Sequence, residues 1–248
     1  MAVHDLTSER LFVDGTLALG TRIELGGDQA HYLVHVLRSK LGAEILVFNG
    51  RDGEWRARLI ESKKRAAVLE VLEQTRPQTD GPDIDYLFAP LKHARLDYMV
   101  QKAVEMGVAK LSPVQTRRTV PDRVNLDRMR ANAIEAAEQC GVLRVPEVLD
   151  LRPLVKVLDN WDPKRTLIFC DEGDLAASPL AVLAAVRPGP LAVLVGPEGG
   201  FSGEERQLLR SKSFVVALSL GPRIMRADTA AVAALALINA TLGDWTAG

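Results

Sequence analysis

The stretch "LAVLVGPEGGFSGEE", Leu191 to Glu205, places three glycines and a proline directly after an apolar run. The run Leu191–Val195 has no polar alternation, so it reads as a strand buried on both faces, as in a parallel sheet. Gly196-Pro-Glu-Gly-Gly200 ends it. Ser202 then precedes Glu205 by three residues, the spacing of a capping box, so the segment reads strand, glycine loop, helix. A glycine loop at a helix N-terminus commonly cradles phosphate. Here no lysine follows the glycines, Pro197 removes a donor, and Glu198 places negative charge where phosphate would sit. Two readings stay open: a site for a neutral or cationic ligand, or only a tight strand-to-helix turn.

A second strand and glycine turn follow. Phe214–Leu220 is another apolar run, and "LGPRIMRADTAAVAALALINATLG", Leu220 to Gly243, continues through a Gly221-Pro222 turn into an alanine-rich helix. Asp228 is placed to cap that helix and Gly243 to end it. Its small side chains allow close packing against another element or a ligand. Two strands ending in two glycine turns predict one shared crevice.

This pair of motifs resembles the SPOUT class of methyltransferases, whose C-terminal chain forms a trefoil knot that binds S-adenosylmethionine. Within that class the sequence is similar to the bacterial family that methylates N3 of a uridine in 16S ribosomal RNA. The resemblance rests on "GPEGG" at 196–200, "LGPRIMRADTA" at 220–230, "QKAVEMG" at 101–107 and "AAEQCG" at 136–141, and runs from about residue 8 to the C-terminus. Two positions depart from the family pattern: Asp228 stands where a glutamate is usual, and Met106 where a leucine is usual. The resemblance implies an α/β fold, with a knotted parallel-sheet methyltransferase domain at 82–248 preceded by a small PUA-like β-barrel at 1–75 that holds RNA. It implies cofactor contacts at Leu194, Gly196, Glu198, Gly199, Gly200, Leu218, Leu220, Gly221, Ile224, Met225 and Thr229. It implies a homodimer paired through the C-terminal domains.

Composition agrees with this reading. The 248 residues carry a formal net charge of −1, so any nucleic-acid contact must be a local basic patch. No run is long and apolar enough to span a bilayer and no signal pattern opens the chain, so a cytoplasmic location is expected. Cys140 and Cys170 are too few for a disulfide framework or a cysteine zinc site. His4, His31, His35 and His93 all lie early in the chain, away from the glycine turns, which disfavours hydrolase and metalloenzyme chemistry and predicts a metal-free site.

Polar and turn-forming residues at 75–83 mark a linker. Before it, 45–48, 55–60 and 67–72 read as short strands separated by Asn49-Gly50 and Asp52-Gly53 turns, with a helix expected over 29–42. Arg10, Arg22, Arg38, Lys40, Arg56 and Arg58 are interspersed with acids. They read either as a solvated face or as RNA contacts, and the resemblance favours Arg38 and Lys40, with Arg56 and Arg58 on one side of a strand. After the linker, Ile84–Phe88 is a strand. A helix over 93–107 has Leu96, Met99, Val100 and Ala103 on its core face. Lys102 and Glu105 are a surface ion pair or a site support. The segment 110–130 is the most basic in the chain, and RNA contacts are expected there, at Arg117 and Arg118 with Lys92 upstream. A helix over 126–140 turns Met129, Ala133, Ile134 and Ala137 inward and leaves Glu138 and Gln139 polar. Thr166–Cys170 forms a strand with Asp171 and Glu172 at its end, before a helix over 178–186. Alternating strands and helices predict a site at strand C-termini.

The chemistry implied is methyl transfer to a weakly acidic imide, which requires loss of the N3 proton and stabilisation of negative charge on the ring. Arg226, always cationic and planar, is the candidate for that second task, with structural pairing to Glu198 or Asp228 as its other reading. Asp228 reads as base, orienter or helix cap. The resemblance adds Glu138. Other classes remain: a nucleotide-binding α/β enzyme, a non-catalytic RNA-binding ribosome-assembly factor, or a SPOUT enzyme acting on another RNA base.

Overall fold

The computed structural model describes residues 8–63, 65–92, 94–171, 173 and 178–246. His4, His93 and Glu172 lie outside the described residues. The chain divides into two compact units, residues 1–80 with 137–145, and 81–136 with 146–248.

The first unit contains β1 (Arg10–Phe12), β2 (Arg22–Leu25), α1 (Gly27–His31), β3 (Glu44–Phe48), β4 (Glu54–Lys63) and β5 (Ala66–Arg76). They form a five-stranded sheet in the order β1-β3-β4-β5-β2, antiparallel except for the parallel pair β1–β3. Apolar residues of these strands, including Leu11, Val47, Leu59 and Leu69, make the core with Leu33. The β3–β4 turn is built by Asn49, whose Oδ1 accepts from the N–H groups of Arg51 and Asp52, with Gly50 and Gly53 at positive φ. The helix expected over 29–42 is shorter. After α1 a π-helical turn runs through Tyr32–Val36, and Arg38, at φ 53°, leaves helical geometry altogether.

One buried charge organises this unit. The Glu54 side chain is only 2% exposed. Its carboxylate accepts from Arg10 Nε at 3.0 Å, from Arg76 Nε and Nη2 at 2.9 and 2.7 Å, and from Thr75 Oγ1 at 2.9 Å. Arg76 Nη2 also donates to the Gly141 carbonyl, and Glu138 accepts from the Phe12 N–H at 2.8 Å. Residues 137–145 are thereby hydrogen-bonded into the unit although they are distant in sequence.

The second unit contains β6 (Ile84–Phe88), α2 (Ala94–Glu105), β7 (Lys110–Gln115), most of α3 (Leu126–Cys140), β8 (Glu147–Val148), β9 (Arg152–Pro153), α4 (Leu154–Asp159), β10 (Thr166–Cys170), α5 (Pro179–Ala184), β11 (Leu191–Val195), α6 (Gly203–Arg210), β12 (Val215–Leu218) and α7 (Ala227–Thr241). Six strands form a path β12-β10-β11-β6-β7-β8, and each adjacent pair is parallel. All five residues of β11 are buried at the centre of that sheet, as its unbroken apolar run requires. Leu194 and Phe169 face a core shared with Phe201, Leu209 and Leu154, while α7 packs against α2, α5 and β11. Gly107 ends the turn after α2 at φ 76°.

Candidate functional site

Parallel register brings the C-terminal ends of β10, β11 and β12 to one edge, with Phe169 beside Leu194 and Cys170 beside Leu218. The loops that leave those ends line an open cleft. Gly196, Pro197, Glu198, Gly200 and Phe201, after β11, and Leu218, Leu220, Gly221, Arg223 and Met225, at and after the end of β12, line it. Cys170, Asp171, Val195, Arg206, Ala227 and Ala230 complete the lining. Its mostly apolar lining with a few charged groups is typical of sites for small organic ligands.

Local sequence explains each wall. Gly200 has φ 67° and its N–H donates to the Pro197 carbonyl at 2.8 Å, closing the first turn. Gly221 has φ 104°, and a Cβ there would meet nothing within 4 Å, so a side chain would occupy open space at the cleft wall. The capping box is formed: Glu205 N–H donates to Ser202 Oγ at 3.2 Å, and Ser202 N–H to Glu205 Oε2 at 2.8 Å. Glu205 Oε1 accepts from the Arg117 N–H, and Arg118 Nη1 donates to the Gly199 carbonyl, so the segment after β7 is latched to the glycine loop.

Charged side chains around the cleft are largely committed. Arg95 Nε and Nη2 donate to the two oxygens of Asp228, both at 3.0 Å, and Arg95 Nη1 donates to Glu198. The Arg95 hydrogen bond, ahead of the opposing effect of burial, holds the Asp228 carboxyl below its ordinary value. The Asp171 side chain is wholly buried and pairs with Arg210 at 2.8 Å and Arg206 at 3.6 Å. Burial pushes the Cys170 thiol up to about 12, so it stays protonated and is no nucleophile at neutral pH.

The cleft gathers Gly196, Glu198, Gly200, Leu218, Leu220, Gly221 and Met225 from the residues expected in sequence. It does not gather all of them. Leu194 points into the core, Gly199 packs on Arg118, Ile224 is 92% exposed, and Thr229 is exposed with its N–H on Asp228. Asp228 is not the N-cap: the helix begins two residues earlier than the Asp-Thr pattern suggests, Arg226 occupies the N-cap, and no side chain caps it. The pairing partner of Glu198 and Asp228 is Arg95, which leaves Arg226 exposed and outside the ion pairs of the described residues. Glu138 belongs to the first unit, where it holds the Phe12 amide, and is not among the lining residues.

Of the expected RNA contacts, Arg10 is corrected, because its side chain is 6% exposed and bound to Glu54. Arg56 and Arg58 pair with Glu44 and Glu73, and Arg117 with Glu204. Arg22, Arg38, Lys40 and Lys92 are exposed and in no ion pair with another described residue. Lys102 and Glu105 form the expected surface pair. Arg95, Asp171 and Arg206 have no sequence signal for this site, since their partners lie far along the chain.

Residues 79–239 match an RNA methyltransferase domain family, and residues 25–72 match an RNA methyltransferase PUA domain. The ribosomal RNA small subunit methyltransferase E of Rickettsia conorii is 30% identical over 235 residues, 93% of this chain and 94% of the relative. That of Bacillus subtilis is 29% identical over 86% of this chain and 88% of its own. Among solved structures, the ribosomal RNA small subunit methyltransferase E of Neisseria gonorrhoeae bound to S-adenosyl methionine is similar at a TM-score of 0.86 and 28% identity, covering 96% of this chain and 99% of that one. A Legionella pneumophila methyltransferase with bound cofactor SAM gives a TM-score of 0.85 and 28% identity over 96% and 99% of the two chains. With an RNA methyltransferase domain and a PUA domain spanning most of its length, the chain belongs to the ribosomal RNA small subunit methyltransferase E family.

Proposed function

We infer that this protein methylates 16S ribosomal RNA with S-adenosylmethionine, and that the acceptor is N3 of a uridine. The observation that carries the reading is the cleft between the two glycine turns, whose walls offer apolar side chains and approachable backbone but place Pro197 and Glu198 where a phosphate would need donors. Such a cleft fits a cationic sulfonium nucleoside better than a nucleotide. Leu218, Leu220, Met225, Ala227 and Ala230 would enclose the adenosine, and backbone at Gly196, Gly200 and Gly221 would meet its polar edges. The cofactor, when bound, supplies a methyl group already activated for displacement by its sulfonium.

The chain's own residues then have two tasks. One is alignment, supplied by the rigid sheet edge and the two turns. The other is stabilising negative charge as the imide proton leaves, and Arg226 is the group for it. It stands between Met225 and Ala227, both in the cleft lining, and it is exposed with a guanidinium uncommitted to any described carboxylate. Asp228 is ill-suited as a base, because both of its oxygens accept from Arg95 and Oδ1 also accepts from the Thr229 N–H.

The division of labour follows the fold. We assign RNA holding to residues 1–75, through the exposed Arg22, Arg38 and Lys40, and methyl transfer to 82–248, with Lys92 and Arg118 as further RNA contacts. A homodimer paired through the alanine-rich α7 and a cytoplasmic location complete the reading. The test is transfer of a labelled methyl group to small ribosomal subunits from cells that lack the modification, followed by mapping of the modified base. Label on a position other than uridine N3, or none at all, would overturn the assignment.

A further inference from the structure

Two carboxylates beside the cleft belong to different segments, and a single guanidinium holds both. Glu198 lies in the 196–200 loop and lines the cleft, whereas Asp228 lies in the first turn of α7 between the lining residues Ala227 and Ala230. Arg95, in the first turn of α2, spans 133 residues to Asp228 and 103 to Glu198. It does not itself line the cleft. We propose that Arg95 is the positioning residue of the cofactor cleft: by tying the Glu198 loop to the first turn of α7 it sets the separation of the two glycine turns.

This inference rests on reading the cleft as the S-adenosylmethionine site. Three features carry it. A guanidinium is planar, so its paired hydrogen bonds to Asp228 fix the orientation of the third donor toward Glu198, which a lysine cannot do. The two arms are unequal. The Asp228 side chain is 15% exposed and the Glu198 side chain 60%, so the Asp228 arm is the persistent one and the Glu198 arm sits in screening solvent. On the neighbouring residue of the same loop, Arg118 holds the Gly199 carbonyl from the segment after β7, so the loop is fixed from two sides.

The experiment uses the full chain, with calorimetric titration of S-adenosylmethionine and methyl transfer to small subunits at saturating cofactor. Arg95→Ala should weaken cofactor binding about tenfold, with transfer at saturation within about threefold of the parent, a split between binding and turnover that a general loss of structure would not produce. Arg95→Lys should weaken binding too, by less. Arg95→Ala combined with Asp228→Ala should bind no more weakly than Arg95→Ala alone, because the two act as one unit. If Arg95→Ala does not fold, Arg95→Lys and Asp228→Asn carry the same expectation. Unchanged affinity in the folded variants overturns the proposal, as does a fall in saturated turnover with affinity unchanged, which would place Asp228 in the chemistry. A parent protein that binds no S-adenosylmethionine would bring down the reading of the cleft itself, a result separate from a clamp that proves dispensable.

Discussion

The Cε2 atom of Phe201 lies 2.5 Å from the point where a side chain on Gly196 would place its Cβ, with Cζ and Cδ2 at 2.9 and 3.0 Å. The ring cannot simply yield, because it packs edge-on against Phe169 with centroids 4.9 Å apart in the core below the cleft. Gly196→Ala should therefore push Phe201 out of place, costing about 1–3 kcal/mol of stability and deforming the cleft wall. Denaturant unfolding and a cofactor titration on the same variant check both effects. Parental values in each would mean that the ring has room to move.

Gly200 presents a different constraint. Its φ of 67° lies in the left-handed region, which a β-branched side chain disfavours. In Gly200→Val the turn should open and the affinity for S-adenosylmethionine should fall by more than about tenfold, measured by calorimetry. Normal affinity would reduce the glycine loop to a connector.

Arg226 separates chemistry from binding. With its guanidinium outside the ion pairs of the described residues, Arg226→Ala should leave cofactor affinity and folding nearly intact. Methyl transfer should slow on the order of 10²-fold if the arginine stabilises developing charge. Single-turnover transfer at saturating cofactor makes the measurement, and a parental rate would return Arg226 to a surface role.

Glu54 ties stability to pH in the first unit. Burial by itself would raise its carboxyl, but hydrogen bonds from Arg76 and Thr75, the charge of Arg76 and the bond from Arg10 hold it below the ordinary value of 4.5. A depressed folded value means that its contribution is present above 4.5 and is lost as pH falls through that lower value. Glu54→Gln leaves Arg10 and Arg76 without their shared counter-charge and should cost about 3–5 kcal/mol at neutral pH. Its unfolding free energy should also fall less steeply on acidification, which denaturant melts at a series of pH values would reveal.

Methyl transfer should persist in chelator. Among the described residues no group of three or more histidine, cysteine, aspartate and glutamate side chains is placed to hold a metal ion. Loss of activity restored by a divalent ion, on RNA whose folding is independently verified, would contradict this.

Much of the second unit was legible because its signals are local. The runs LAVLV, TLIFC and IDYLF are continuous apolar segments bounded by turn residues, and each became a strand of the parallel sheet. Ser202 and Glu205, three apart, formed the capping box that their spacing implied. The charged frame of the cleft was not legible in this way. Arg95 meets partners more than a hundred residues away, and nothing periodic links an arginine in α2 to an aspartate in α7. Asp171 draws Arg206 and Arg210, one helical turn apart on α6, across to the end of β10 in the same fashion. Asp228 reads as a cap in sequence, but Arg226 is the cap, because a helix start can shift by two residues without changing the local pattern. Arg38 looked helical because a left-handed residue other than glycine leaves no mark in composition.

The return of residues 137–145 to the first unit bears on the order of synthesis. A growing chain usually folds its N-terminal domain first. Here the Arg76 donor waits for the Gly141 carbonyl and the Phe12 amide waits for Glu138, so the five-stranded sheet can assemble early but its last hydrogen bonds close only after β6, α2, β7 and most of α3 have been made. A fragment ending at residue 80 would keep every strand of that sheet and still lack the segment that completes it.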